Sequence, residues 1–257
     1  MIKKALLFLT LYLSFSMGYM AYGQITSNKD FIEKIQELRT LSQKLGKYYI
    51  LTQLYPTSDE YKKKQQENVE KFNNILVELT ENAQSEEISI EFQKLNLTWL
   101  LVSKTLQKRY DRMHAGKLLD MLEKMQMEIN GIIDMIMQHL SKKERVELVK
   151  KAADTRFQFQ KMVLYFLAHK AKILNNNIKD RFKDAQTKFK ENLSYLERSE
   201  FNDENTLMIL EMIKNQYKSY GKKIVLDGTI SPLTASMVSV RIDDDLKLLV
   251  QVYKDRL

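Results

Sequence analysis

Four residues of this chain recur in the same order and at the same spacing. Arg39, Gln43, Lys44 and Tyr48 stand 117 positions before Arg156, Gln160, Lys161 and Tyr165. The correspondence continues without a gap, because Lys71, Phe72, Leu76 and Leu79 match Lys188, Phe189, Leu193 and Leu196 at the same offset. Trp99 falls one place from Tyr217. A period this long does not suit a solenoid of helix pairs, so the pattern implies an internal duplication. Any fold proposed for the chain must build one unit twice.

The unit is helical. Only 7 glycines and 2 prolines occur among 257 residues, too few turn-formers for a strand-and-loop architecture. Start and stop signals divide the chain into about eight helices. The first is expected over about 29–54, ended by Pro56, and the second over about 59–82, opened by a Thr57/Glu60 capping box. Ser85 opens a third over about 86–112, and a Met-rich fourth spans about 115–140. A Ser141/Glu144 box opens a fifth over about 142–173, and a sixth covers about 178–198. Asn202 or Asp203 caps a seventh to Tyr220, and an eighth runs from about Leu233 to the end. The expected fold is all-α: two tandem four-helix-bundle-like units at residues 24–140 and 141–257.

Residues 1–23 read as a signal peptide. Lys3 and Lys4 precede the apolar run ALLFLTLYLSFSMGYM, and Ala21-Tyr22-Gly23 offers small residues for cleavage before Gln24. A retained anchor is the alternative, since 5–22 could just cross a bilayer. Without cysteine the chain can carry no lipid on a thiol, no disulfide and no thiolate metal site. The expected location is periplasmic or secreted, with no transmembrane segment after cleavage. Losing Lys3 and Lys4 leaves 39 basic against 33 acidic residues, a formal +6 spread along the chain. That dispersion describes a solvated helical surface, not a nucleic-acid footprint.

On a helical wheel, Ile32, Ile35, Gln43, Gly46 and Ile50 fall within roughly 40° of Arg39. The matching stripe is Val149, Ala152, Arg156, Gln160, Val163 and Leu167. Leu38, Leu41, Leu45 and Tyr48 make the opposite side apolar as well, so this helix belongs inside a bundle. A buried guanidinium needs a negative partner. The acids nearest in sequence, Glu37 and Asp154, point about 160° away from Arg39 and Arg156 respectively. The charge must therefore come from another helix, a second chain or a bound anion, for which the planar fork of Arg is suited.

At these residues the chain resembles a known family. Arg39-Thr40-Leu41-Ser42-Gln43-Lys44-Leu45-Gly46-Lys47-Tyr48-Tyr49 is similar to the signature of the type IV pilus methyl-accepting chemotaxis transducer N-terminal domain, the PilJ-type domain related to NarX-type nitrate sensors. Family members read A-G-x-x-R-M-L-S-Q-R-M-A-K. Arg156-Phe157-Gln158-Phe159-Gln160-Lys161-Met162 is a second copy without the Leu-Ser pair. Ile35-Gln36 and Ala152-Ala153 stand where the family has Ala-Gly. Two such domains would cover about 30–135 and 142–257. The resemblance implies a periplasmic helical sensor of a small anion or other ligand, with Arg39, Gln43, Arg156 and Gln160 as ligand-binding residues. Having no output segment of its own, the chain would signal through a membrane-bound or periplasmic protein partner. The alternative is a scaffold in which the motif arginines form interhelical salt bridges.

No enzyme is expected. There is no glycine-rich phosphate loop, no Ser-His-Asp signature and no Glu-x-x-His. His114, His139 and His169 lie on different helices without a metal spacing, so no metal or cofactor is expected. Asp243-Asp244-Asp245 is read as N-terminal charge favourable to the last helix dipole, a cation site there being the weaker reading.

Overall fold

The computed structural model describes residues 28–108, 110–138 and 143–256. The signal peptide expected at 1–23 and His139 lie outside them. Eight α-helices follow in order: α1 Asn28–Leu54, α2 Asp59–Glu81, α3 Glu86–Leu106, α4 Arg112–Gln138, α5 Lys143–Lys170, α6 Ile178–Glu197, α7 Glu204–Ser219 and α8 Pro232–Lys254. A short 3₁₀ turn, Gly221–Lys223, follows α7. No strand occurs among the described residues, and none of their helices is long and apolar enough to cross a membrane.

Local chemistry sets the helix starts. Ser85 accepts the Ile88 N–H at 3.2 Å to open α3. Asp203 rather than Asn202 caps α7, exchanging side-chain bonds with Thr206 in a capping box. Ser231 caps α8 with Pro232 in the first turn, where the missing N–H costs nothing. Two boundaries differ from expectation. Pro56 and Thr57 are taken up by a turn that closes with the Ser58 N–H on the Tyr55 carbonyl, so Ser58, not Thr57, caps α2. The chain leaves helix after Leu106, and Asp111 then caps the Met113 N–H at 2.7 Å, so α3 ends earlier and α4 starts earlier than expected. Ser141, expected to open α5, lies outside the described residues.

The motif helices α1 and α5 pack on each other at the centre. α1 also packs on α2 and α4, and α5 on α6 and α8. α3 joins α2 to α4 on one side, and α7 joins α6 to α8 on the other. One continuous apolar cluster runs from Phe31 to Tyr253 through all eight helices. Almost every side chain of α1 from Leu38 to Leu51 is buried, as is every one from Phe159 to Ala168 in α5, the two-sided burial that the wheel called for. Gly46 allows part of this closeness, since a Cβ there would meet Leu122 and Leu164 side chains at 2.8 and 3.0 Å. Outside this centre an aromatic pair recurs: Phe72 on Trp99 at 4.3 Å, and Phe189 on Tyr217 at 4.8 Å.

Candidate functional site

Arg39, Gln43, Arg156 and Gln160 are all buried, held in place by the apolar residues above and below them on α1 and α5. Arg156 meets Asp243 of α8 through two nitrogens, Nε at 2.8 Å and Nη2 at 3.1 Å. This is the fork geometry in which a guanidinium binds a carboxylate best. Lys44 of α1 reaches the same carboxylate at 2.7 Å. Gln160 donates to the Ser239 carbonyl at 3.2 Å. Burial alone would raise the Asp243 pKa, but Arg156 and Lys44 outweigh it and hold the carboxyl well below its usual range.

The Asp243 run is therefore not an N-terminal charge. Ser231 and Pro232 start α8 early enough to carry Asp243 three turns into the helix, onto its buried face, where cations of the chain itself occupy it.

Arg39 is held differently. Its Nη1 lies 2.6 Å from Asp154 of α5 and donates to Asn130 of α4 at 3.1 Å. Its guanidinium stacks 4.8 Å from the Phe157 ring centre. Nε and Nη2 have no hydrogen-bond partner, and neither has the Gln43 Oε1. Asp154 points away from Arg156, as the wheel requires, and thereby reaches the arginine of the other half. Glu37, its counterpart before Arg39, pairs with Lys71 at 2.5 Å and also feels Arg156. Although burial pushes the Glu37 pKa up, these cations bring it down overall. The two guanidiniums thus rest on separate carboxylates.

Further polar residues belong to this layer. Lys47, only 1% exposed, donates to the Ser239 hydroxyl at 2.7 Å. Burial first, and the like charge of Lys44 second, push its pKa down to about 7, against the pull of Asp243. On α5, Lys161 lies 3.0 Å from Glu123 of α4, and Tyr165 donates to the same carboxylate. Burial and Glu123 push the Tyr165 phenol well above its usual range. Lys44, Lys161 and Tyr165 belonged to the repeated motif, so the repeat itself was the signal for them. For Lys47 the signal was a mismatch: the second copy has Leu164 at that position.

A cavity of about 30 Å³, room for one water, lies between α1, α5 and α8 with Glu37, Thr40, Lys247 and Arg156 on its wall. A wider open groove of about 1130 Å³ runs along α5 and α6 past Glu147, Lys190, Tyr195, Arg198 and Phe201, and none of the four motif residues lines it. Among the described residues no three His, Asp or Glu side chains gather into a metal-holding group. His114 and His169 instead lie beside single aspartates, Asp111 at 3.2 Å and Asp227 at 3.5 Å.

No protein-family model matches the chain, and no curated protein or solved structure shows significant similarity to it. Its class is defined by fold and site alone: an all-α protein in which a layer of buried ion pairs ties two central helices to their neighbours.

Proposed function

We propose that the chain is an exported, non-enzymatic helical-bundle module whose motif arginines set helix register, and that it acts as a scaffold or interaction protein. The observation that carries this reading is that both guanidiniums end on carboxylates supplied by other helices of the same chain. Export rests on the leader at 1–23, with cleavage before Gln24 and release to the periplasm or exterior. On this reading the chain is two PilJ-type units derived from an internal duplication. Supporting it, the two sets of four helices follow the same order, and burial keeps the 117-residue register. Leu122, Met125, Gln126 and Ile129 of α4 are buried, as are Ser239, Ile242, Asp243 and Leu246 of α8.

A second reading is favoured by one specific observation. Arg39 keeps two buried N–H donors without partners beside an unpaired Gln43 oxygen, a setting that suits a small anion. In that case the module is a sensor that passes on occupancy by docking a membrane-bound or periplasmic partner.

Thermal unfolding against nitrate, nitrite and small carboxylates at fixed ionic strength separates the two. A bound ligand at 100 times its dissociation constant adds about 2.7 kcal/mol. The scaffold reading expects no anion-specific shift and a strongly destabilised Arg156→Ala. A shift for one anion that disappears in a folded Arg39→Ala would replace it with the sensor reading.

A further inference from the structure

We propose that α3 is a self-association surface, on which a second copy of the chain docks with its own α3 antiparallel across a two-fold axis. Among the outer helices, α7 shows Leu207, Met208 and Met212 to solvent, whereas α2 and α6 show little apolar surface. On the exposed face of α2, Val77 is the only apolar residue among lysines, acids and amides, and on α6 it is Tyr195. On α3, by contrast, Ile90, Leu97 and Leu101 are 46%, 66% and 56% exposed, and Leu100 lies beside them.

Spacings of seven and then four residues place Ile90, Leu97 and Leu101 within about 40° of one another on the helix, a continuous ridge. Such a ridge marks an interface. It does not belong to the chain's own core, which α3 meets through the buried Phe92, Leu95, Trp99 and Val102.

Charge selects the occupant. Glu86 at the start of α3 and Lys104 in its last turn lie 18 residues apart, a whole number of turns, so both flank the ridge on the same side. Both are exposed, and neither takes an ion pair among the described residues. Helices paired antiparallel bring like flanks together. Centring the axis near residue 95 sets Glu86 of each copy against Lys104 of the other and leaves the two Leu97 side chains about 6 Å apart along the helix axes, on either side of the two-fold. Parallel pairing would carry these flanks to opposite sides of the seam and form neither pair. The antiparallel arrangement also opposes the helix dipoles favourably. An isologous interface of this kind closes as a dimer.

The test is sedimentation velocity on the chain from Gln24 to Leu257, which contains every described residue. The wild type is expected at twice the mass of one chain, and Leu97→Glu with Leu101→Glu at the mass of one. Both positions are exposed, so helicity and melting should change little. Lys104→Glu should weaken association roughly tenfold at low salt, and Glu86→Lys added to it should restore the dimer. A monomeric wild type overturns the proposal. So does a dimer that survives the Leu97 and Leu101 changes but breaks with Met237→Lys on the exposed apolar face of α8.

Discussion

The two arginine sites begin from the same motif residue and reach different states. Arg156 is closed: its fork fits Asp243, Lys44 shares that carboxylate, and Gln160 finds a backbone carbonyl. Arg39 is half-closed, with one nitrogen serving both Asp154 and Asn130 and two nitrogens unpaired. One position of the repeat differs in the same sense. Counting back 117 from Asp243 reaches Gln126, a buried amide whose Nε2 has no partner. The second half supplies its own carboxylate in that place, whereas the first half must borrow Asp154 from α5. Thus the same side chain is a structural ion pair in one setting and a partly unsatisfied donor in the other.

The comparison can be broken most forcefully at Asp243. Asp243→Ala strands Arg156 and Lys44 in a buried site and should cost about 3–5 kcal/mol in urea unfolding. Asp154→Ala should cost about 1–2 kcal/mol, because its side chain is 21% exposed and Arg39 keeps Asn130. Equal losses at the two aspartates would erase the distinction.

Lys47 gives the closed site a pH dependence. Facing it are Lys44 from α1, Lys64 from α2 and Asp243 from α8. Its folded pKa of about 7 lies below the ordinary lysine value of 10.5, so holding an ammonium there is a penalty to folding. That penalty is fully present below pH 7. It is relieved as pH rises above 7, where the folded state gives up its proton while the unfolded chain keeps it. Unfolding free energy measured from pH 6 to 9 should therefore climb across the upper part of that range. Lys47→Met should raise stability at pH 6 and flatten the climb; an unchanged slope would remove Lys47 as its source.

Smaller effects sharpen the contrast. Arg39→Met should stay within about 1 kcal/mol of wild type, because it deletes unpaired donors along with one ion pair, and Arg156→Met should lose more. Gln126→Asp, which offers Arg39 the carboxylate its counterpart already has, should be neutral or stabilising by up to about 1 kcal/mol. It should also narrow the gap between Asp154→Ala and Asp243→Ala when the changes are combined.

Much of the fold was legible because its signals are local. Ser85, Asp203 and the Ser231-Pro232 pair act within one turn of chain, and the scarcity of glycine and proline excluded other architectures. The burial of α1 and α5 on both sides could be read from the wheel. The partners of the arginines could not, because an ion pair between α1 and α5 depends on how helices distant in sequence come together. Asp154 was visible only as an acid facing away from its own arginine. Asp243 was misread because a run of three acids resembles a helix start, although Ser231-Pro232 had already provided one. Lys47 stood in the motif of the first copy, but its burial against Ser239 of α8 depends on helices distant in sequence.

The crossed lysine ties have a consequence for how such a chain arises. Lys44 of α1 reaches Asp243 of α8, and Lys161 of α5 reaches Glu123 of α4. In each pair the first helix of one half holds the fourth helix of the other. On the duplication proposed above, a half-length ancestor would have found that partner only in another molecule of itself. Fusing two genes end to end would have replaced an association that fails on dilution with one that does not depend on concentration at all. Each copy would then have been free to change alone, which would leave Asp243 in one half where the other has Gln126.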